Sequence, residues 1–289
     1  MAPDPTLRTE YWDDLPAREA FKAFMVDIHG LDFGAWETAG YWDHAYTPFS
    51  YFDGDRVVAS VCLYLLDAVL DGRKTRVLQI SGVGTRPELR RRGLNRELTE
   101  IGLERMAGRH EGVFLFSDED AVPFYARCGF TPIEEFVEVA PVPSVRPREG
   151  LVKLDPGRTA DRDLIHDRAR RRAPISNRFA VMNPRLVMFH ALYTLRQRAY
   201  AVPELDCVVF FARENGVFRL FDVLAEEIPP LDALYPYVAD DSDERIELHF
   251  PADLVAPGST TLEPLTGNLP FVRGAFPVDP AVFPFTARA

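Results

Sequence analysis

Between residues 47 and 139 the apolar pattern changes period in a fixed order, and that order limits the folds open to the chain. Three β-rich runs, at 47–52, 56–69 and 73–84, are separated by the tight-turn pairs Asp53-Gly54 and Asp71-Gly72. They predict an antiparallel meander. A helical pattern follows from Gly93 to Arg109, with Leu94, Leu98 and Ile101 on one face. A short apolar strand comes next, Val113-Phe114-Leu115-Phe116, then an acidic turn at 117–120 and a short helix over 121–127 that Gly129 ends. Phe130 through Val139 reads as one further strand. A meander followed by strand, helix and strand predicts a mixed sheet, because the crossover favours parallel pairing. Ahead of it, Phe21, Phe24, Met25 and Ile28 form a helical stripe over 15–28.

The segment 141–150 holds three prolines and a glycine and is the best linker candidate. It suggests two units, residues 1–143 and 150–289, in a chain of 289 residues. Past the linker the pattern predicts helices at 159–172 and 184–199, strands at 206–213 and 217–224, a helix at 231–238 and a strand at 245–250. The last 35 or so residues, rich in Pro, Gly and Phe, read as an irregular surface wrap. At the level of hairpin, helix and strand, the second half echoes the first.

Several function classes fall away on composition. A net charge of −11 disfavours a general nucleic-acid binder or a polybasic membrane module. The longest apolar stretch, Val57 to Leu70, is too short to span a bilayer, and no secretory signal is visible at the start. Cys62, Cys128 and Cys207 are odd in number and widely spaced, which argues against a disulfide framework or a zinc site. Together these features predict a cytoplasmic protein with no metal. His29, His44 and His190 belong to no recognisable constellation and read as structural.

Against the acidic background, residues 1–145 carry a net −9 and yet contain Arg90-Arg91-Arg92 in a row. The three arginines end a strand-to-helix loop that runs from Val83 to Asn95. Backbone N–H groups at a helix start lack partners, and the helix dipole favours anions there. Gly93 lets a phosphate approach the backbone, and arginine forks add charge-assisted contacts. A pyrophosphate-bearing ligand fits this loop; so does a solvated basic turn.

The run Arg90-Arg91-Arg92-Gly93-Leu94-Asn95 resembles the cofactor motif Arg/Gln-x-x-Gly-x-Gly/Ala of the GNAT superfamily of N-acyltransferases, with asparagine in place of the final small residue. A second segment, Ala121 to Phe130, is similar to the family's A-x-x-Φ-Y-x-x-x-G-F pattern, Φ being apolar. The family's usual asparagine near its start is absent; Asp118 and Asp120 stand nearby. The resemblance covers residues 5–140. The Gly40-Tyr41-Trp42 segment and the closing residues resemble a two-part subgroup whose second half is a degenerate GNAT-like unit. The implied fold class is α/β with a mixed sheet: a GNAT fold in the N-terminal half and a smaller GNAT-like α+β second domain.

By this resemblance, the backbone of Val83, Gly84 and Thr85 would pair with the pantetheine arm of acetyl-CoA, while Arg90, Arg91, Arg92, Gly93, Leu94 and Asn95 would hold the pyrophosphate. Phe124 joins the cofactor-binding set, and only the first half should bind the cofactor. The thioester would sit where the two parallel strands splay apart. An amine would attack directly and Tyr125 would protonate the departing thiolate, since a tyrosine of ordinary pKa about 10 keeps its proton at neutral pH. Asp118, Glu119 and the C-terminal carboxylate at Ala289 are open alternatives for the base, each acid also explicable as a helix-start or surface charge. Tyr41 and Trp42 fall where the acceptor-side loop belongs, suited to an apolar or cationic acceptor and equally to interdomain packing. The expected reaction is acetyl-CoA-dependent N-acetylation of a small-molecule or peptide amine, with a homodimer allowed. The competing expectation is a catalytically weak acyl-CoA-binding regulatory module.

Overall fold

A computed structural model describes residues 5–267, 269–274, 276 and 280–289. Residues 1–4 of the start and residues 268, 275 and 277–279 of the closing stretch lie outside the described residues. The first half contains β1 (Thr6–Thr9), α1 (Leu15–His29), α2 (Gly34–Thr38), β2 (Tyr46–Asp53), β3 (Arg56–Leu70), β4 (Arg73–Thr85), α3 (Leu94–Arg105), β5 (Gly112–Ser117), α4 (Val122–Arg127), β6 (Thr131–Pro132) and β7 (Phe136–Ala140). The second contains β8 (Val152–Lys153), α5 (Thr159–Arg171), β9 (Phe179–Val181), α6 (Pro184–Leu192), β10 (Ala199–Val202), β11 (Cys207–Glu214), β12 (Val217–Leu224), α7 (Leu231–Val238), β13 (Arg245–Leu248), β14 (Thr261–Pro264) and β15 (Leu269–Gly274).

Strands β2, β3 and β4 form the antiparallel meander, and β4 then pairs with β5 in parallel. The helix between them, α3, makes that crossover, so the mixed sheet follows from the order of elements. The full order is β1-β2-β3-β4-β5-β15-β6, with β9 added to the far end of β3. Helix α1 starts where Asp14 Oδ1 accepts the Ala17 N–H at 3.1 Å, with a proline in its first turn. Its apolar stripe, Phe21, Phe24 and Met25, is fully buried against one face of the sheet together with Tyr64 and Val77. The opposite face carries Leu78 and Ile80, packed with Leu98 of α3 and Tyr125 of α4. Alternation along β4 therefore decides which residues face which helices.

The second sheet, ordered β14-β7-β13-β12-β11-β10-β8, repeats the same scheme: a hairpin, a helix and a parallel strand. Three strands cross between the halves, β9 on β3 among them. β7, which precedes the linker, lies antiparallel to β13 in the second sheet, and β15, from the far end of the chain, lies antiparallel to β5 in the first. The stretch 130–139, expected as one strand, is therefore two short strands in different sheets. The closing residues, expected as an irregular wrap, include β14 and β15; Phe271 of β15 is wholly buried. The helix expected over 184–199 stops at Leu192, and β10 begins at Ala199. No helix among the described residues is long and apolar enough to cross a membrane. All three cysteines are buried free thiols.

Candidate active site

The loop after β4 is shaped by two residues that turn away from solvent. Arg86 is buried: its Nε donates to the Val57 carbonyl at 2.7 Å, and its guanidinium reaches Asp27 at 3.0 Å over the Phe24 ring. Thr85 Oγ1 bonds to Asn95 Oδ1 at 2.9 Å and ties the strand end to the first turn of α3. That latch gives a physical role to the asparagine that stands where the motif has a small residue. Gly93 precedes α3 with φ +85°, a left-handed conformation that a side chain would strain. Arg91 itself adopts φ +65°, costly for a residue with a Cβ.

No side chain caps the start of α3, so its first N–H groups remain available. Arg90, Arg91 and Arg92 are exposed, and none has an acidic partner within salt-bridge distance among the described residues. Unpaired cations beside uncapped amides make a local anion site. The site opens into a cleft of about 770 Å³. Val83, Gly84, Thr85, Arg90, Arg91, Arg92, Gly93, Leu94, Asn95 and Phe124 all line it, so the structure brings together the ten residues expected to hold the cofactor.

The inner end of the cleft meets a gap in the sheet. Parallel pairing between β4 and β5 ends at Gln79 and Phe114, and beyond that level β5 pairs only with β15. Residues 80–85 of β4 therefore run on without a neighbour on that side. Gly84 lies in this stretch, and a Cβ there would come within 2.7 Å of Ile28 Cγ2 and 2.9 Å of His29 Nε2. Glycine is what lets the end of α1 close on the strand.

Tyr125 is buried beside the gap, against Phe271 at 5.0 Å and Phe124 at 4.9 Å. Burial pushes its hydroxyl up to about 12, with the nearby Ser117 hydroxyl opposing the shift. Asp118 is exposed at the end of β5, caps nothing with its side chain and does not line the cleft. Ala289 lies on the other face of the sheet, its N–H donating to Gln79 Oε1 at 3.1 Å. Phe33, Trp36, Tyr46, Tyr64 and Phe189 surround it. The segment is pinned by His190, whose Nε2 is 2.7 Å from the Arg288 carbonyl, and by the Arg288–Glu135 ion pair. Tyr125 and Ala289 thus flank the gap from opposite faces.

Tyr41 and Trp42 are not in this cleft. Tyr41 packs on His166 at 4.8 Å and lines a separate cleft of about 730 Å³ with Asp43, Asp163 and Arg185. Trp42 packs edge-on to Trp12 and Phe33 and stacks on Trp36, behind the aromatic ring of residues around Ala289. His29, read from sequence as structural, lines the anion cleft instead. Its signal is long-range, set by the way α1 packs on Gly84, and no local motif carries it.

In the second half the equivalent gap is filled. Pairing of β12 with β13 ends at Leu220 and Leu248, and beyond it the Phe285 N–H donates to the His249 carbonyl at 2.8 Å while Thr286 bonds Asp222. The loop to α7 carries Glu226 and Glu227 where the first half has its arginines. Among the described residues no group of His, Cys, Asp and Glu is arranged to hold a metal.

Residues 35–133 match the family model described as an acetyltransferase (GNAT) domain. No curated protein sequence matches. Among solved structures, the chain is similar to a probable N-acyltransferase of unknown function from Enterococcus faecalis V583, at 11% identity and TM-score 0.59, over 92% of this chain and 71% of that one. It is also similar to Eis1 from Mycobacterium abscessus (18%, TM-score 0.56, 93% and 73%). A GCN5-related N-acetyltransferase from Kribbella flavida gives 16%, TM-score 0.52, 93% and 72%. At these identities the likeness is one of fold, and it extends over both halves.

Proposed function

From the premise that residues 35–133 of this chain form a GNAT acetyltransferase domain, we propose that the protein transfers an acetyl group from acetyl-CoA to a primary amine by direct attack. One observation carries the reading: unpaired arginines and an uncapped helix start share a continuous cleft with the unpaired stretch of β4. A diphosphate at Arg90–Asn95 and an extended amide-bearing arm along Val83–Thr85 fit those two parts. The thioester supplies an activated acyl carbon and a thiolate leaving group.

Within that reading, the chain's own groups divide the work. The first amides of α3 and the three arginines neutralise phosphate charge. The edge of β4 beyond its last pair with β5 holds the arm as a strand would. Tyr125, kept protonated by burial, donates to the departing sulfur. Neither Asp118 nor Ala289 lines the cleft, so neither is placed to accept the amine's proton there. The acceptor is a small-molecule or peptide amine reaching the gap from the α1 and α2 side.

Calorimetry with acetyl-CoA tests the reading, because a native-state ligand at 100 times its Kd raises stability by about 2.7 kcal/mol. Acetyl-CoA should raise the melting temperature, and Arg91→Glu with Arg92→Glu should abolish the rise. An unchanged melting temperature at saturating acetyl-CoA would remove the proposal. Binding without acetylation across an amine panel would favour a regulatory binding module.

A further inference from the structure

None of Asp118, Glu119 and Ala289, the groups considered as a base, lines the cleft, but His29 does. It ends α1, where the Gly84 backbone leaves room for it, and its ring sits beside the backbone of Gly82 and Gly84. Gly82 and Gly84 belong to the unpaired stretch of β4, beyond the last pair with β5. The ring is also open to the cleft. We propose that His29 is a catalytic residue of the acetyl transfer, the group that takes the first proton from the acceptor's ammonium. This rests on the acetyltransferase reading above and deepens it at the same site.

The surroundings keep the imidazole neutral and oriented. On its own helix it meets the Phe24 ring, 6.4 Å between centroids, and Ile28. On β4 it meets Gly82 and Gly84, which bear no charge. Asp27, two residues before it, is turned to Arg86. The other charged groups of the cleft, Arg90, Arg91, Arg92, Arg96 and Arg127, are cations that disfavour a second positive charge. One ring nitrogen donating to the Gly82 carbonyl would fix the tautomer and leave the other with its lone pair, the arrangement a general base requires.

The proton balance closes. His29 takes one N–H proton from the ammonium, leaving an amine lone pair. That pair forms the C–N bond to the thioester carbon. Collapse breaks the C–S bond, and the sulfur takes the Tyr125 proton. The remaining excess N–H proton returns to Tyr125, and His29 releases its own to the solvent it faces at the cleft.

His29→Gln keeps a donor for the Gly82 carbonyl and removes the base. The His29 C2–H resonance, assigned by its loss in H29Q, should titrate below the ordinary histidine range and move when acetyl-CoA binds. With benzylamine, which is protonated at neutral pH, H29Q should lose about 10²–10⁴-fold in kcat/KM and lose the acidic limb of the wild-type pH profile. With methoxyamine, which is already unprotonated, most of the rate should return. A His29 signal indifferent to acetyl-CoA overturns the proposal. So does an equal loss, or no loss, with both amines. If the wild type binds acetyl-CoA and acetylates neither amine, the transfer reading fails first and the His29 role fails with it.

Discussion

Tyr125 and His190 are both buried, and burial moves their protonation in opposite directions. For Tyr125 the shift upward, to about 12, secures a donor at neutral pH. Tyr125→Phe should cut turnover about 10²–10⁴-fold. Loss of the one hydroxyl should cost only about 1 kcal/mol of stability. Turnover equal to wild type, in an assay limited by chemistry, would take the acid role away from Tyr125. For His190, desolvation lowers the pKa to about 4, while its bond to the Arg288 carbonyl resists the shift. The unfolded chain takes up this proton as pH falls through about 6.5, and the native state does not until about 4. Stability is therefore complete above pH 6.5 and declines towards pH 4, by about 3 kcal/mol for this group. His190→Gln should melt lower at pH 7 and lose less between pH 7 and pH 5. Parallel melting curves against pH for the two proteins would refute it. Legibility in the sequence divides along the same line. Arg90 to Asn95 and Phe124-Tyr125 lie within short motifs, where one stretch of chain makes the site by itself. His29 is set beside Gly84 by packing across more than 50 residues, and the ring of Phe33, Trp36 and Phe189 across more than 150, so no local pattern announces them.

At the level of elements, the cleft depends on α1 lying close to the end of β4. Gly84→Ala would set a methyl 2.7 Å from Ile28 and 2.9 Å from His29, nearer than unstrained contacts allow. The helix end must move, at a cost of about 1–3 kcal/mol. The mouth of the cleft should widen, and acetyl-CoA should bind less tightly. A variant with unaltered melting temperature and unaltered acetyl-CoA affinity would show that α1 is not held at this point. Elements were readable where a periodic pattern coincided with one partner. The meander, α1 and the β11–β12 hairpin have turn residues or apolar stripes that serve a single sheet. The stretch 130–139 holds two strands because Glu135, buried in its pair with Arg288 from the far end of the chain, separates the short β6 from β7. Likewise α6 ends at Leu192 because Tyr193 turns out of the helical region and the Leu195 N–H bonds back to the His190 carbonyl, a bend that no proline or glycine marks.

Over the whole molecule, the exchange of strands ties the proposed units 1–143 and 150–289 together. β15 covers β5 in the first sheet, and β7 sits between β13 and β14 in the second, so each sheet contains a strand from across the linker. Phe271 on β15 packs against Tyr125, and Phe283 stacks near Phe114 at 5.6 Å, so the far end of the chain helps build the wall behind the gap. The filled gap of the second sheet has the same origin: residues 285–286, on their way to Ala289, occupy it. One half therefore keeps an open anion cleft while residues 285–286 close the corresponding gap in the other. A chain of residues 1–143 alone should expose the β5 edge and the apolar surface under Phe271, and should aggregate. Residues 150–289 alone should fail too, lacking β7 in the middle of a sheet. Co-expressed, the two fragments should recover a soluble pair that co-purifies and melts at an acetyl-CoA-dependent temperature. If residues 1–143 instead unfold cooperatively as a soluble monomer, the exchanged strand is a covering rather than a structural member, and the acid-side wall does not need the second half.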